Sequence, residues 1–212
     1  MSDPAAPAPA DSPLSPTFWE SRYQEGNPRW DLGQAAPPLV HYLAQATLPP
    51  GATVVLGCGR GHDALLFARA GFTVTGVDYA PSAIAAATDN AHHQGLTAQF
   101  LQRDIFALLP EYAAQFDYVV EHTCFCALEP ALRDRYVTLV HQLLKPQGTF
   151  IGLFFTHDRP GGPPYGTTPG EITTRFAPYF AIETLTPTPH SVAARRHEEH
   201  LGIMHKRSQP LA

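Results

Sequence analysis

A short apolar run ends in glycines at alternating positions, and a second apolar run downstream ends in an acidic residue. The run Val54-Val55-Leu56 precedes Gly57, Gly59 and Gly61, and the second run ends at Asp78. Glycine lets the backbone approach a ligand where a Cβ would collide, and an acid at the end of the next strand can accept hydrogen bonds from ribose hydroxyls. The pattern therefore predicts a nucleotide-cofactor site between a strand and a helix.

The spacing of these glycines distinguishes between two classes of cofactor. Dinucleotide-binding proteins use G-x-G-x-x-G, whereas residues 57–61 of this chain read G-x-G-x-G. We therefore interpret the motif as favouring S-adenosylmethionine over a nicotinamide. Two alternatives stay open, an ordinary turn between strand and helix and an Asp78 that only caps the next helix.

Polar residues also stand at the expected carboxyl ends of two further strands. Asp104 ends one of them, and Glu121-His122 ends the other. In a parallel sheet the cofactor lies across these ends, so we expect Asp104 and the amide of Ile105 to meet an adenine. We expect His122 to lie near the reacting centre. The alternatives are a helix N-cap for Asp104 and a polar loop residue for His122.

Apolar runs typical of strands alternate along the chain with segments of helical periodicity. The predicted strands cover residues 53–56, 73–77, 99–102, 118–121 and 149–155, and the predicted helices cover 61–70, 81–93 and 130–144. This alternation predicts parallel strands joined by right-handed crossovers. The last two strands, over 180–185 and 199–205, predict a hairpin at an antiparallel edge. We expect an α/β, Rossmann-like fold with a mostly parallel seven-stranded sheet and helices on both faces.

Length and local composition define the expected domain. A chain of 212 residues suits one α/β domain with a full core and leaves little room for a second. Residues 1–16 are rich in proline and have almost nothing to bury, so we expect a disordered tail there. The remaining residues, 17–207, are expected to form a single domain.

Charge, hydropathy and cysteine content argue against several classes of protein. The net charge of −5 argues against a nucleic-acid-binding surface. No apolar run is long enough to span a membrane, and we see no secretory signal. Three cysteines do not form a disulfide framework, so we expect a cytoplasmic protein. The sequence leaves the oligomeric state open, with a monomer among the alternatives.

The segment before the first strand carries aromatic residues at helical spacing. Trp19 and Tyr23 are four residues apart, so they share one face of a predicted helix. Core packing explains most pairs of this kind. The later run Trp30-Asp31-Leu32-Gly33 is harder to explain by packing alone.

Several segments together resemble the thiopurine, thiol and halide methyltransferases, in particular the plant halide/thiol (thiocyanate) methyltransferases and their bacterial relatives. They run in family order from about Trp19 to the last strand. They are Trp19-Glu20 through Trp30-Asp31-Leu32-Gly33, Gly57-Cys58-Gly59-Arg60-Gly61-His62-Asp63, Phe125-Cys126-Ala127-Leu128-Glu129-Pro130, Leu143-Leu144-Lys145-Pro146 and Gly161-Gly162-Pro163-Pro164-Tyr165. The glycine motif is common to many methyltransferases, whereas the tryptophan segment and Gly-Gly-Pro-Pro-Tyr are far narrower signals.

The resemblance implies a class I methyltransferase that uses S-adenosylmethionine, with an N-terminal aromatic lid over residues 17–48. The implied cofactor-binding residues are Trp19, Tyr23, Trp30, Gly57, Gly59, Asp78, Asp104, Ile105 and His122. Two of them depart from the family pattern. Tyr23 stands where the plant enzymes have Trp, and His122 stands where they have Tyr and the thiopurine relatives have Arg.

The implied reaction is a direct displacement in which a soft nucleophile attacks the methyl carbon of a sulfonium. The predicted catalytic residues are Tyr165, His122 and Arg195. Tyr165 is expected to line the acceptor site, and Arg195, between the last two strands, is expected to attract an anionic acceptor. The alternatives are an exposed loop around Tyr165 and a solvated charge at Arg195.

Other functions remain as alternatives. The acceptor is expected to be a small molecule: a thiol, hydrosulfide, thiocyanate or a halide, or alternatively a thiopurine or oxidised tellurium or selenium. From other classes, a nicotinamide oxidoreductase is opposed by the glycine spacing, and a non-catalytic cofactor-binding protein stays open. Cys124-Phe125-Cys126 and the eleven histidines lack the paired spacing of a structural zinc site, so we expect no metal.

Overall fold

The computed structural model of the chain describes residues 15–26 and 28–211, and a seven-stranded sheet forms its centre. The strands are β1 (Ala52–Leu56), β2 (Thr73–Asp78), β3 (Gln99–Gln102), β4 (Phe116–His122), β5 (Leu144–Phe155), β6 (Phe180–Pro187) and β7 (Glu199–Lys206). The helices are α1 (Pro16–Gln24), α2 (Pro37–Gln45), α3 (His62–Arg69), α4 (Pro81–His93), α5 (Arg133–Leu143) and α6 (Pro169–Phe176). Within these residues, no helix has both the length and the apolar character that crossing a bilayer requires.

The strand order of the sheet is β3-β2-β1-β4-β5-β7-β6. Neighbouring strands from β3 to β5 are parallel, whereas β7 runs antiparallel to both β5 and β6. The predicted fold, including the antiparallel hairpin at one edge, is confirmed. The strand order reverses between β1 and β4, and ligands of such sheets bind at this switch point, outside the carboxyl ends of the strands.

Alternate residues of the central strands pack into two apolar clusters, one on each face of the sheet. Val54 belongs to one cluster and Val55 to the other. Burial on both faces is typical of parallel strands covered by helices. Phenylalanines fill much of the first cluster, where Phe150 stacks on Phe176 with the ring centroids 5.2 Å apart.

The predicted boundary between the fifth helix and the fifth strand is wrong. A short 3-10 turn over Pro130–Leu132 precedes α5, and β5 already begins at Leu144. The pair Phe116↔Leu144 is followed by Tyr118↔Thr149, so residues 145–148 form a bulge in β5 instead of a break before it. Lys145-Pro146-Gln147-Gly148 has the composition of a turn, which is why the sequence suggested the end of a helix.

Two of the described helices, α2 and α6, were not predicted. The proline-containing helix α2 falls in the segment that we read as a lid, and α6 begins at the end of the loop around Tyr165, in a segment with no predicted element. Thr168 caps α6 by accepting a hydrogen bond from the amide of Glu171 at 3.1 Å.

Of the expected disordered tail, residues 1–14 lie outside the described residues, whereas Ser15 caps α1 by accepting a hydrogen bond from the amide of Phe18.

Replacement of Gly61 by alanine should destabilise the fold strongly. Gly61 has φ +80°, and an added Cβ would lie 2.9 Å from the Cβ of Ala87. The matched control is Gly95→Ala, at φ +63° with nothing within 4 Å of the added Cβ. Urea unfolding should show a loss of about 1 kcal/mol for Gly95→Ala and about 3 kcal/mol for Gly61→Ala, which adds overpacking to backbone strain. Equal losses would contradict the close contact with α4.

Candidate active site

The glycine turn between β1 and α3 has a backbone that side chains rarely permit. Gly57, Gly59 and Gly61 have φ of +63°, +54° and +80°. A Cβ at Gly57 would lie 3.1 Å from Cys124, and a Cβ at Gly59 would lie 3.1 Å from the hydroxyl of Tyr23. The glycines therefore let the turn lie close to both the end of β4 and the lid segment, as we will call residues 17–48.

Asp78 ends β2 directly beside this turn. One carboxylate oxygen accepts a hydrogen bond from the amide of Gly59, and the other accepts one from the amide of Ala80, both at 2.9 Å. Burial raises the pKa of Asp78, although the amides of Ala80 and Gly59 lower it. Since an ionised carboxylate offers about four acceptor positions, Asp78 retains capacity for further donors such as hydroxyl groups.

Asp104 serves as a cap at the end of β3. Its Oδ1 accepts a hydrogen bond from the amide of Phe106 at 2.8 Å, which starts the 3-10 turn Ile105–Ala107. Burial and the nearby Asp104 carboxylate raise the pKa of Tyr79. The Ile105 side chain is buried in the core, so only its backbone is free to meet a ligand. The cap that we held as an alternative for Asp104 therefore exists, and its contact with a cofactor stays a prediction.

The aromatic residues of the lid segment pack on one another as a cluster. The ring centroid of Trp30 lies 5.4 Å from that of Trp19 and 5.6 Å from that of Tyr23, with the planes about perpendicular. The indole N–H of Trp30 donates to the hydroxyl of Tyr23 at 3.2 Å. Tyr23 is buried and also packs against Ala80, which precedes α4. The spacing of these residues thus does place their rings together.

Acidic side chains fasten the lid segment to the elements around it. Glu20 accepts hydrogen bonds from both the amide and the hydroxyl of Ser82 at the start of α4. Asp31 pairs with Arg60, in the glycine turn, at 2.9 Å and with His62, directly after the turn, at 3.3 Å. Burial raises the pKa of Asp31, but the contacts with His62, Arg60 and a backbone amide outweigh burial and lower it.

His122 lies at the centre of a buried polar network. Its Nδ1 lies 2.9 Å from the carboxylate of Asp63, and its Nε2 lies 2.7 Å from a guanidinium nitrogen of Arg195. Guanidinium nitrogens only donate, so in this arrangement Nε2 accepts and Nδ1 donates to Asp63. Burial lowers the pKa of His122, but the carboxylates of Asp63 and Glu199 outweigh burial and the charge of Arg195 and raise it to about 9, which favours a proton on both nitrogens. The 2.7 Å approach of the Arg195 guanidinium opposes this and keeps Nε2 unprotonated while the contact is made.

Arg195 joins the network to the lid segment. It is buried, it pairs with Glu199 at 3.3 Å, and it donates to the backbone carbonyl of Trp30 at 2.7 Å. Its guanidinium also lies 5.8 Å from the ring centroid of Phe155. The alternative of a solvated charge at Arg195 is therefore wrong for this structure.

Tyr165 is held by its backbone beside the turn that follows β4. Its amide donates to the carbonyl of Cys126 at 2.7 Å, and its carbonyl accepts from Arg133 at 3.3 Å. Arg133 is fully buried, contacts the carbonyl of Gly166 and pairs with Glu171 at 2.9 Å. Arg133 was not predicted as a site residue, although it follows closely on the family-like run ending at Pro130.

A cleft lies between the lid segment and the glycine turn. Among the predicted site residues, its lining includes Tyr23, Trp30, Gly57, Gly59 and His122. The predicted site residues that are not part of that lining in the described chain are Trp19, Asp78, Asp104, Ile105, Tyr165 and Arg195. The empty space of the cleft, including its open mouth, is about 380 Å³.

Glu121 shapes the turn beneath the cleft. It is fully buried, and one carboxylate oxygen accepts from the amides of Cys124 at 2.9 Å and Phe125 at 3.0 Å. These contacts hold a turn in which Thr123 has φ +62°. Burial raises the pKa of Glu121 to about 7, although the Phe125 amide, His122 and the Cys124 amide lower it.

The cysteines are poor nucleophiles in this setting. Cys58, Cys124 and Cys126 are free and buried. Burial raises the pKa of Cys126 to about 12 and also raises those of the other two thiols, so all three stay protonated at neutral pH. Among the described residues, no group of three or more His, Cys, Asp or Glu side chains is arranged to hold a metal ion.

Comparisons with known proteins agree on one family. The family model described as thiopurine S-methyltransferase matches residues 14–209. Thiocyanate methyltransferase 1 of Brassica oleracea is 34% identical over 188 residues, covering 87% of this chain and 82% of that protein. A thiopurine S-methyltransferase of Legionella pneumophila is 27% identical over 202 residues, covering 88% of this chain and 91% of that protein.

A solved structure with the same fold comes from Burkholderia thailandensis. It is 1,6-didemethyltoxoflavin-N1-methyltransferase with bound 1,6-didemethyltoxoflavin and S-adenosylhomocysteine. It superposes with a TM-score of 0.77 at 23% identity, covering 98% of this chain and 93% of that chain. The match shows that the architecture of the sheet and its helices is shared.

The buried carboxyl of Glu121 should make stability fall as pH rises from 4.5 to about 7. Its pKa is raised on folding from 4.5 to about 7, so the folded chain binds more protons than the unfolded chain in this window. Glutamine does not titrate. Urea unfolding should therefore show the wild type losing about 3 kcal/mol relative to Glu121→Gln across the window. The exposed control Glu25→Gln should show no such difference. If the unfolding free energies of Glu121→Gln and the wild type change in parallel with pH, the raised pKa of Glu121 is contradicted.

Proposed function

The chain belongs to the thiopurine S-methyltransferase family, and we propose that its acceptor is a small, soft nucleophile: a thiol or hydrosulfide, thiocyanate or a halide. The sequence-based predictions of the family, of a methyltransferase and of S-adenosylmethionine as its donor are confirmed. The observation that carries the proposed acceptor is the 34% identity to a thiocyanate methyltransferase. The aromatic lid segment, docked on the glycine turn, supports it.

The residues around the cleft fit S-adenosylmethionine. Gly57 and Gly59 line the cleft without side chains of their own, and Asp78 keeps acceptor positions for ribose hydroxyls. The faces of Trp19 and Trp30 attract a sulfonium by cation–π contact, each worth about 0.5–2 kcal/mol. We propose that Asp104 and the backbone at Ile105 complete the adenine end.

The cofactor supplies an electrophilic methyl group on a sulfonium, and the protein's task is to position the acceptor and exclude water. An anionic acceptor forms the new bond with its own lone pair while the bond to the sulfonium breaks, so no base is required. Holding the two reactants in line is worth on the order of 10⁵ M or more in effective concentration. The closed lid segment also excludes water that would solvate the anion.

We assign the acceptor side of the site to the turn after β4 and the loop that carries Tyr165. This loop is fixed against Cys126 by the amide of Tyr165 and by the buried Arg133. His122 lies at the end of β4 and lines the cleft, so we propose that it faces the methyl group. The free, buried cysteines are consistent with action in the cytoplasm.

A mixed panel of acceptors should identify the reaction. Purified protein with S-adenosylmethionine is incubated with hydrosulfide, methanethiol, thiocyanate, iodide, a thiopurine and tellurite, and methylated products are analysed in the headspace and in solution. We expect methylated thiols, thiocyanate or iodide as the main products. A preference for the thiopurine or tellurite would move the chain to that alternative, and binding of the cofactor without any product would contradict the proposal.

Trp30→Ala should weaken the binding of S-adenosylmethionine by about tenfold, because a cation–π face is lost. It should weaken binding of the product S-adenosylhomocysteine less, because that thioether carries no sulfonium charge. Isothermal titration calorimetry measures both constants, with the exposed Ser21→Ala in α1 as the control. Equal losses for the two ligands would remove the cation–π role, and unchanged binding of both would remove Trp30 from the site.

Tyr165→Phe should lower kcat/KM for the acceptor by about threefold to tenfold, since one hydroxyl contact is lost. The KM for S-adenosylmethionine should stay unchanged. Tyr112→Phe is the matched control, because Tyr112 packs on Phe116 at the opposite end of β4. Kinetics of Tyr165→Phe that equal those of the wild type would place Tyr165 outside the acceptor site.

A further inference from the structure

Both terminal nitrogens of Arg195 are engaged within the protein. One reaches Nε2 of His122 at 2.7 Å and the carboxylate of Glu199 at 3.3 Å, and the other reaches the carbonyl of Trp30 at 2.7 Å. These contacts use three of the five N–H donors of the guanidinium. Because Glu199 also balances the charge of Arg195, an anionic acceptor would have to compete with a buried carboxylate.

Asp63 holds the same part of the lid segment from the other side. One oxygen of its carboxylate accepts from the amide of Ala36 at 2.7 Å, and the other contacts Nδ1 of His122 at 2.9 Å. The carbonyl of Trp30 and the amide of Ala36 therefore bind to opposite ends of one network. Segment 30–36 is held by Arg195 at its start and by Asp63 at its end.

We propose that Asp63, His122 and Arg195 form a latch that holds segment 30–36, and with it the Trp30 ring, over the cofactor site. Arg195 and Asp63 are thus positioning residues for the lid segment, and Arg195 is not an attractor for the acceptor. This inference rests on the proposed function of the same site. Loss of the latch should therefore weaken cofactor binding, and kcat/KM should fall by the same factor for every acceptor.

His122 links the two ends of the latch, because its neutral ring offers one donor nitrogen and one acceptor nitrogen. Nδ1 donates to Asp63 while Nε2 accepts from Arg195, so the two partners select a single tautomer. Asp63→Asn places its NH2 group against either the Nδ1–H of His122 or the amide N–H of Ala36, so that one of the two contacts becomes donor against donor. The variant keeps the size of the side chain and breaks one contact of the latch.

The chain offers a direct optical probe of the latch. Its two tryptophans are Trp19 and Trp30, which both lie in the lid segment. Tryptophan fluorescence and its quenching by acrylamide therefore report on the lid segment alone. The matched control for Arg195→Met is Arg196→Met, because Arg196 is the exposed neighbour in the chain.

The test compares wild type, Arg195→Met, Asp63→Asn, the double variant and Arg196→Met. Calorimetry measures the affinity for S-adenosylhomocysteine, acrylamide quenching measures exposure of the tryptophans, and kinetics use iodide and a thiol as acceptors. We expect Arg195→Met and Asp63→Asn each to weaken binding by about tenfold and to increase quenching. The kcat/KM values for the two acceptors should fall by the same factor. The double variant should bind S-adenosylhomocysteine no more weakly than whichever single variant has the lower affinity.

Two outcomes would overturn the latch. One is an unchanged affinity and quenching with a raised KM for iodide alone, which would make Arg195 an acceptor contact. The other is full additivity of Asp63→Asn and Arg195→Met, which would separate the two residues. If Arg195→Met does not fold, as judged by circular dichroism, Asp63→Asn alone decides through quenching and affinity. A wild type that binds no S-adenosylhomocysteine would instead refute the proposed function itself.

Discussion

The hydrogen bond from Arg195 to the carbonyl of Trp30 joins parts of the chain that are 165 residues apart. Through His122 and Asp63, the same network reaches the end of β4, the start of α3 and the amide of Ala36. The second half of the lid segment belongs to the main core, which takes in Leu32, Ala36, Leu39, Tyr42, Leu43 and Leu48. The aromatic residues Trp19, Tyr23 and Trp30 instead form a small cluster against Ala80 and Ala83, so their position depends more on polar contacts to the elements that form the cofactor site.

This division between core and lid segment has a functional consequence. The sheet and its helices bury two large apolar clusters, which gives the strand ends and the glycine turn a rigid frame. The aromatic residues of the lid segment are held by ion pairs and hydrogen bonds at Ser82, Arg60, Asp63 and Arg195, whereas α2 packs in the core. Individual polar contacts contribute about 0.5–3 kcal/mol, so the aromatic residues can move for the cofactor while the frame stays folded.

Neighbouring residues in the sequence were enough to predict the strands, the helices beside them and the glycine turn. They were not enough to predict the polar contacts that hold the lid segment and the loop of Tyr165. Alternating glycines and the acid at Asp78 imply a particular backbone conformation, so the strand, turn and helix were predictable from adjacent residues. Trp19 and Tyr23 share a helical face by spacing alone. In contrast, nothing near Arg195 in the sequence indicates that it meets Trp30, and nothing near Arg133 indicates that it holds the loop of Tyr165. Such contacts depend on the tertiary fold, as does the bulge over 145–148 that misled the boundary of β5.

The central claim is that the lid segment covers a bound S-adenosyl cofactor at the glycine turn, and a crystal structure with S-adenosylhomocysteine tests it most directly. We expect ribose hydroxyls at hydrogen-bonding distance from Asp78 and the product sulfur beneath the rings of Trp19 and Trp30. We also expect Arg195 still to contact the carbonyl of Trp30. Product bound away from the glycine turn, or a lid segment displaced from the bound product, would contradict it.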